Sequence, residues 1–244
     1  MSLSGAPASD PSPRLSVVIP LFNEEDNVVP MVAEVAQALK GHDFELVLVD
    51  DGSRDATVSR IPREPWIRVI EFEKNTGQSA AMYAGIMASR GELIGLLDGD
   101  LQNDPADMPK LIALIEGGAD LACGWRAKRQ DTWFKRVQSR IANFVRSRFT
   151  SDGVHDTGCS LKVMRRPCRE ALVPFTGMHR FIPALIGGAG YRVVELPVNH
   201  RARQHGVSKY GFGNRALRAT MDMFGVKWLV SRHFTVRCKP QRQA

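Results

Sequence analysis

The chain has 244 residues, of which 43% are hydrophobic and 24% charged, and it carries a formal net charge of +7 at pH 7. A chain of this length can bury a large core, so we expect one globular domain with a C-terminal extension. No run approaches the ~18 uncharged apolar residues of a membrane-spanning helix. The N-terminus lacks a basic segment followed by an apolar one, so we expect no secretory signal. The four cysteines show neither CxxC nor zinc spacing, which indicates reduced thiols.

The positive charge is concentrated in two segments. Residues 201–244 hold ten Lys or Arg against the single acid Asp222, and residues 125–149 hold eight against Asp131. This asymmetry favours an anionic partner such as a membrane surface or a phosphorylated substrate, and a solvated basic surface remains the alternative. No nucleic-acid-binding module accompanies the charge, so we do not expect nucleic acid as a partner.

The order of the predicted elements indicates an α/β fold. Short apolar runs rich in β-branched residues are typical of buried parallel strands, and they occur at 15–22, 44–51, 66–72, 92–98 and 119–124. Apolar residues at helical spacing occur between them, at 26–40, 78–90 and 105–116. This alternation predicts right-handed βαβ units and a mostly parallel central sheet flanked by helices.

After residue 125 the alternation becomes irregular. We predict further strands at 159–164 and 191–198. Helices are predicted at 133–149 and 178–186, the first of them basic, and 200–213 is rich in turn residues. An amphipathic helix is predicted at 214–233.

Polar side chains follow three of the predicted strands. Asn23 and Glu24 follow the first, Asp50 and Asp51 the second, and the segment Asp98-Gly99-Asp100 the fourth. The carboxyl ends of parallel strands share one edge of the sheet, where ligands bind in open α/β folds. Hard oxygen ligands without His or Cys suit Mg²⁺ or Mn²⁺, and Mg²⁺ commonly takes its remaining ligands from phosphates and water. With no GxxxxGK[ST] and no GxGxxG, the pattern favours a diphosphate-bearing substrate outside the P-loop and dinucleotide-binding classes.

Seven sequence motifs carry a resemblance to a known family. In order, they are VVIPLFNEEDNV (17–28), VDDGSRDAT (49–57), EKNTGQSAAMYAG (73–85), LLDGDLQNDP (96–105), DTGCSLKVMRR (156–166), GMHRFIPAL (177–185) and HRARQHGVSKYG (200–211). Together they resemble the family 2 glycosyltransferases of the GT-A fold, and more closely the polyprenyl-phosphate sugar transferases of the dolichol-phosphate-mannose-synthase-like branch. The resemblance spans roughly residues 14–232.

The resemblance implies roles for residues at the strand ends. Those implied to bind the nucleotide sugar are Pro20, Asn23, Glu24, Asp51, Asn75, Gly77 and Asp98. Asp100 is implied to be the direct ligand of Mg²⁺ or Mn²⁺, with Gln102 assisting and Asp98 reaching the metal or the ribose. Helix N-capping remains the alternative for Asp50 and Asp51, and a plain turn role for Asn75.

The basic segments are implied to bind the acceptor phosphate. Its predicted ligands are Arg126, Arg136, Ser139, Arg201, Arg203 and Lys209, with Asp100, Arg126 and Arg136 as the catalytic set. A lipid monophosphate has a second pKa near 6, as a phosphorylated side chain has, so it is already a competent nucleophile at pH 7 and needs no strong general base. Each arginine has a surface charge as its alternative, and Lys135 or Arg140 could serve in place of Arg136. For Asp156, a role near the acceptor sugar and a turn role both remain open.

We therefore predict an inverting glycosyltransferase that moves a sugar from a GDP- or UDP-linked donor to polyprenyl phosphate. The predicted organisation is a disordered lead-in at 1–13, a GT-A catalytic domain at 14–212 and a basic amphipathic helix and tail at 213–244. The helix is predicted to lie at an anionic membrane surface, which gives a cytoplasmic, peripheral protein without a transmembrane helix and with a possible membrane-embedded partner. Transfer to a glycan hydroxyl and a non-catalytic membrane adaptor are the alternatives.

Overall fold

The computed structural model describes residues 12–126, 153–201 and 215–234, with side chains from 220 onward in the last range. The strands are β1 (Leu15–Leu21), β2 (Phe44–Asp50), β3 (Ile67–Glu71), β4 (Leu93–Leu96), β5 (Leu121–Trp125), β6 (Lys162–Arg165) and β7 (Val193–Pro197). The α-helices are α1 (Val28–Ala38), α2 (Gln78–Ala88), α3 (Met108–Glu116), α4 (Ile182–Gly188) and α5 (Arg215–Arg232). Short 3₁₀ turns lie at Val58–Arg60, Pro105–Asp107, Arg166–Ala171 and Met178–Arg180.

The strands form one mixed sheet in the order β3-β2-β1-β4-β6-β5-β7. β1 pairs in parallel with β2 and β4, and β2 pairs in parallel with β3. β6 runs antiparallel to both β4 and β5, and β5 pairs in parallel with β7. The predicted α/β fold with a mostly parallel sheet is confirmed, and β6 is the strand that makes the sheet mixed.

Helices cover both faces of the sheet because its central strands are apolar on both sides. Val17 and Ile19 of β1 point into a core formed with α1 and α3, whereas Val18 points into a second core formed with α2, α4 and α5. All three side chains are fully buried. Near-continuous apolar runs are the pattern of strands buried on both faces, so the sequence signal and the observed layers agree.

The register brings the polar strand ends to one edge. Leu21 of β1 pairs with Asp50 of β2, and Asp50 pairs with Glu71 of β3. Val18 pairs with Leu96 at the end of β4, two residues before Asp98. The residues that follow β1, β2 and β4 therefore lie side by side, as the sequence predicted.

The predicted elements within the described ranges are all present, with ends that differ by a few residues. The strand predicted at 159–164 begins only at Lys162, because the residues before it form a turn. The helix predicted at 178–186 begins as the 3₁₀ turn Met178–Arg180 and becomes α-helical only at Ile182. The basic helix predicted at 133–149 and most of the turn-rich stretch at 200–213 lie outside the described residues.

Candidate functional site

A cleft of about 290 Å³ opens at the edge of the sheet where β4 ends and β6 begins. Its walls come from the first turns of α2, the end of β4, the loop before β6 and the 3₁₀ turn before α4. The lining residues are Gln78, Met82, Asp98, Arg126, Asp156, Thr157, Gly158, Cys159, Ser160, Lys162, His179 and Arg180. With Arg126, which follows β5, five sequence-distant segments thus converge on one space that holds both carboxylates and cations.

Asp98 and Asp100 form the acidic side of this region. The Gln78 side chain donates a hydrogen bond to Asp98 Oδ1 at 2.7 Å. Burial raises the pKa of Asp98 and the nearby charge of Asp100 raises it further, outweighing hydrogen bonds from Ser160 and Gln78 and the charge of Lys162. A neighbouring cation would relieve both costs, so the two carboxylates have the electrostatics expected of cation ligands.

The loop after β4 brings potential metal ligands together. Asp100 is buried, and its Oδ1 accepts a hydrogen bond from the backbone N–H of Gln102 at 3.2 Å. Leu101 between them has φ 61°, a left-handed conformation that turns the chain back. Among residues 12–126, 153–201 and 215–234, no three His, Cys, Asp or Glu side chains cluster as a metal site. A divalent ion here would therefore need Gln102, water or substrate phosphates besides the two carboxylates, which is the way Mg²⁺ is usually held.

The ends of β1 and β2 are joined by side chain to backbone hydrogen bonds. Asn23 has φ 51°, and its Oδ1 accepts from the Arg54 N–H at 2.8 Å, while its own N–H donates to Ser53 Oγ at 2.8 Å. The backbone N–H of Glu24 donates to Thr57 Oγ1 at 2.8 Å. These contacts fix the loop that follows β1, including two of the predicted nucleotide ligands. Pro20, a third, lies near the end of β1 opposite Val49 of β2.

Asp51 positions the loop before α2. Its carboxylate accepts from the N–H groups of Thr76 at 2.6 Å and Gly77 at 2.8 Å and from the Asn75 side chain at 2.9 Å. Gly77 has φ 102°, which favours glycine. The structure brings together three of the predicted nucleotide ligands, Asp51, Asn75 and Gly77, and the N-capping alternative does not describe Asp51. Asp50 instead holds a local turn by accepting from the Ser53 N–H at 2.9 Å.

Arg126 and Asp156 form a two-pronged ion pair in the wall of the cleft. Arg126 Nε and Nη2 donate to the two Asp156 oxygens at 2.7 and 2.9 Å, and the Arg126 N–H adds a contact at 3.2 Å. Burial lowers the pKa of Arg126, but the Asp156 carboxylate outweighs it and the pKa stays above its ordinary value. Asp156 also accepts from the Gly158 N–H at 3.2 Å, so the turn role considered for it is present together with the ion pair.

Lys162 lines the cleft but was not singled out from the sequence. Lys162 is 2% exposed and its Nζ donates to the Cys159 carbonyl. His179 Nδ1 lies 2.7 Å from Ser79 Oγ, which also accepts from the Gly177 N–H. A lysine within the apolar strand pattern LKVM was the available signal for Lys162, because charged residues are rarely buried without a reason.

The predicted phosphate ligands divide into two groups. Arg126 lines the cleft, whereas the Arg201 guanidinium contacts Glu34 at 2.7 Å and Asp104 at 2.9 Å. The Arg201 N–H donates to the Gln102 carbonyl, so its backbone adjoins the acidic loop. The remaining predicted ligands, Arg136, Ser139, Arg203 and Lys209, lie outside the described residues.

The comparison with known families is decisive. The family model described as "Glycosyl transferase family 2" matches residues 16–172. The chain belongs to glycosyl transferase family 2. The predicted family is therefore confirmed.

The curated relatives of this family 2 chain include polyprenyl-phosphate sugar transferases, the branch that the resemblance predicted. The chain is 44% identical over 228 residues to a dodecaprenyl-phosphate galacturonate synthase of Rhizobium johnstonii, covering 89% of this chain and 67% of the relative. It is 38% identical over 204 residues to an undecaprenyl-phosphate 4-deoxy-4-formamido-L-arabinose transferase of Pseudomonas fluorescens, covering 80% and 60%. The chain thus spans about two thirds of the length of these relatives.

Solved structures confirm the GT-A fold. Glucosyl-3-phosphoglycerate synthase from Mycobacterium tuberculosis, in complex with Mn²⁺, UDP and phosphoglyceric acid, superposes with a TM-score of 0.67 at 19% identity, covering 88% of this chain and 78% of that one. A mannosyltransferase from Pyrobaculum calidifontis, in complex with GDP-mannose and Mn²⁺, gives a TM-score of 0.64 at 19% identity, covering 95% and 68%. At this level of identity the likeness establishes the fold alone.

Proposed function

We propose that this family 2 glycosyltransferase transfers a sugar from a nucleotide diphosphate sugar to polyprenyl phosphate with inversion at the anomeric carbon. The observation that carries the proposal is the cleft, where Asp98, next to Asp100, faces a wall holding Arg126, Lys162 and Arg180. A reaction between a diphosphate donor and a phosphate acceptor needs cationic side chains that bind the anions. It also needs carboxylates close by that hold the metal ion. The relatives with polyprenyl-phosphate acceptors support the same assignment.

Asp100, Asp98 and Gln102 are proposed to hold Mg²⁺ or Mn²⁺. Bound there, the ion would supply Lewis-acid stabilisation of the departing diphosphate. Solved structures that share the fold contain Mn²⁺ or Mg²⁺ with UDP, and one contains Mn²⁺ with GDP-mannose, which supports a divalent ion without deciding between UDP and GDP donors. The edge carrying Asn23, Glu24, Asp51 and the 75–77 loop is proposed to hold the nucleotide.

The chemistry itself is a single displacement. An oxygen of the lipid phosphate attacks the anomeric carbon, a new carbon–oxygen bond forms on one face, and the bond to the donor diphosphate breaks on the other. The acceptor oxygen carries no proton that must be removed at pH 7, because the second pKa of a phosphate monoester is near 6. The residues of the cleft then need only to position two anions and to neutralise them. Arg126 is proposed to contribute charge on the acceptor side, with Asp156 orienting its guanidinium.

The surface of α5 supports an association with membranes. Met223 and Val226 are buried against the catalytic domain, whereas Met221, Phe224 and Trp228 are 65%, 55% and 62% exposed on another side of the helix. In the part of the chain that the structure describes, no helix is both long and apolar enough to cross a membrane. An exposed apolar stripe on a basic helix is typical of a segment that lies in the interface, so we propose that α5 holds the cleft near its lipid substrate. A membrane-embedded partner protein would lie on the same side.

The experiment that tests the proposal is product formation with purified protein. UDP-linked sugars and GDP-mannose are each incubated with Mn²⁺ and a short-chain polyprenyl phosphate, and the lipid fraction is analysed by mass spectrometry. We expect a lipid-phosphate sugar from at least one donor and none when the corresponding polyprenol replaces the phosphate. Product on a saccharide hydroxyl with none on the lipid phosphate would overturn the acceptor assignment. The absence of binding to any of the nucleotide sugars with Mn²⁺ would overturn the enzymatic one.

A further inference from the structure

Lys162 is a buried cation in the wall of the cleft. It is among the largest fully buried side chains, at 2% exposure, and yet it lines the same space as Asp98. Its Nζ donates to the Cys159 carbonyl. No carboxylate of the described ranges 12–126, 153–201 and 215–234 lies within ion-pair distance of it, although its charge interacts with Asp98 at longer range.

A buried ammonium group in this position is costly. Removing an ion from water is expensive unless opposite charge and hydrogen-bond acceptors replace the water. An ammonium group has three donors, and within the described chain the Cys159 carbonyl accepts one of them. Among the described residues no other group accepts from Lys162, so we expect the remaining two donors to serve a ligand that enters the cleft.

The arginines expected to meet the acceptor are engaged differently. Arg126 is held on two sides by Asp156, and Arg201 contacts Glu34 and Asp104. Their charges are matched within the protein, whereas the charge of Lys162 is not matched by contact. An anion that enters the cleft can therefore contact Lys162 without displacing a carboxylate of the described residues from it.

The Asp98 carboxylate does not neutralise the Lys162 ammonium by direct contact. One of its oxygens accepts from Gln78 at 2.7 Å, and Asp98 makes no ion pair with Lys162 in the described structure. A divalent ion held by Asp98 and Asp100 would add positive charge to this wall. The binding of an anion beside Lys162 would then become more favourable. Lys162 is also less exposed to solvent than Asp98, and it begins β6 opposite Leu96, the last residue of β4.

We infer that Lys162 binds an anionic oxygen of a substrate other than the diphosphate, at an oxyanion site on the floor of the cleft. The inference rests on the proposed function, which supplies two such groups. One is the phosphate of the lipid acceptor, and the other is the carboxylate of a transferred sugar if that sugar is a uronic acid. Both are compact anionic acceptors that suit a buried ammonium.

The test is the binding of four probes to the Lys162→Met protein, measured by calorimetry in the presence of Mn²⁺. The probes are UDP-glucose, UDP-glucuronate, citronellyl phosphate and citronellol. Because a charge-assisted hydrogen bond is lost, we expect about 10- to 100-fold weaker binding of one anionic probe, with UDP-glucose unchanged. A loss confined to UDP-glucuronate identifies the sugar carboxylate, and a loss confined to citronellyl phosphate identifies the acceptor.

Control variants distinguish the loss of the Lys162 charge from a loss of the folded structure. Lys40→Met removes an exposed lysine at the end of α1 and should leave all four affinities unchanged. Lys162→Arg keeps the charge and should restore much of the lost affinity. Thermal unfolding of each variant shows that it is folded, and Lys162→Gln replaces the methionine variant if that one does not fold.

Three outcomes overturn the inference. They are equal affinities for wild type and Lys162→Met, an equal loss for UDP-glucose, and a wild-type protein that binds neither anionic probe. Sugar transfer by the wild-type protein tests the proposed function separately. If the wild type transfers sugar and Lys162→Met binds all four probes with wild-type affinity, this inference alone is overturned. If the wild type transfers no sugar but Lys162→Met binds one anionic probe more weakly, the proposed function alone is overturned.

Discussion

Replacing Asp156 by Asn should destabilise the protein substantially because of the ion pair with Arg126. The Asp156 carboxylate accepts three N–H groups of Arg126 and one of Gly158. The Asp156 and Arg126 side chains are only 7% and 13% exposed. Removing one partner of a buried pair costs about 3–5 kcal/mol, because the other charge stays buried without compensation.

The asparagine variant keeps the shape and one accepting oxygen, so part of this cost is avoided. Its amide N–H₂ group faces the Arg126 guanidinium, and two donors cannot form a hydrogen bond with each other. One of the two charge-assisted hydrogen bonds between the side chains is therefore lost. With hydrogen bonds to charged groups contributing about 1.5–3 kcal/mol each, we expect a loss of about 2–4 kcal/mol in the free energy of unfolding. Arg126 cannot lose its proton to relieve the mismatch, because the arginine guanidinium stays protonated in proteins.

Urea unfolding followed by tryptophan fluorescence measures this loss. The matched control is Asp26→Asn, whose carboxylate contacts Arg60 at 3.1 Å with side chains 65% and 47% exposed, and which should change stability by less than about 0.5 kcal/mol. A double-mutant cycle with Arg126→Met should give a coupling energy of about 1–3 kcal/mol. If Asp156→Asn unfolds at the urea concentration of the control, the pair does not hold the cleft wall together.

Three further predictions concern the acids, the pH dependence and the exposed helix. Asp100→Ala should abolish sugar transfer without altering the circular dichroism spectrum, whereas Asp26→Ala should transfer at the wild-type rate; a nearly unchanged rate for the first contradicts the metal assignment. The pKa of Glu45 lies below its ordinary 4.5: burial raises it, but hydrogen bonds from Ser16 and Arg90 and the contact with Arg68 lower it more. The contribution of Glu45 to stability is therefore present above pH 4.5 and lost as pH falls through the lowered pKa. In urea unfolding at a series of acid pH values, Glu45→Gln should lose this pH dependence of stability. The variant Glu116→Gln, at an exposed position, should keep it. Trp228→Ser should weaken binding to anionic vesicles several-fold in sedimentation assays and leave the melting temperature unchanged, because that side chain is 62% exposed; equal vesicle binding would exclude the helix as the contact.

The fold and one half of the site were predictable because their signals are local. Apolar runs identify β1 and β2, and the polar residues after them must meet at one edge because parallel strands end together. Asp98, Asp100 and Gln102 are close in sequence, so their proximity in space needed no tertiary information. The loop partners of Asp51 were predicted as a group from family motifs, although the hydrogen bonds that join them were not.

The amino-acid sequence by itself determined the layered α/β fold, the acidic strand ends and the family, since each depends on residues within a short segment. Only the tertiary structure decided which charged side chains form ion pairs. Asp156 reaches Arg126 across 30 positions, and Arg201 reaches Glu34 across 167. Lys162 becomes a buried cation facing Asp98 because β6 inserts antiparallel between β4 and β5. The pairing of distant segments sets the local dielectric and the distances between charges, and neither quantity can be read from a linear pattern.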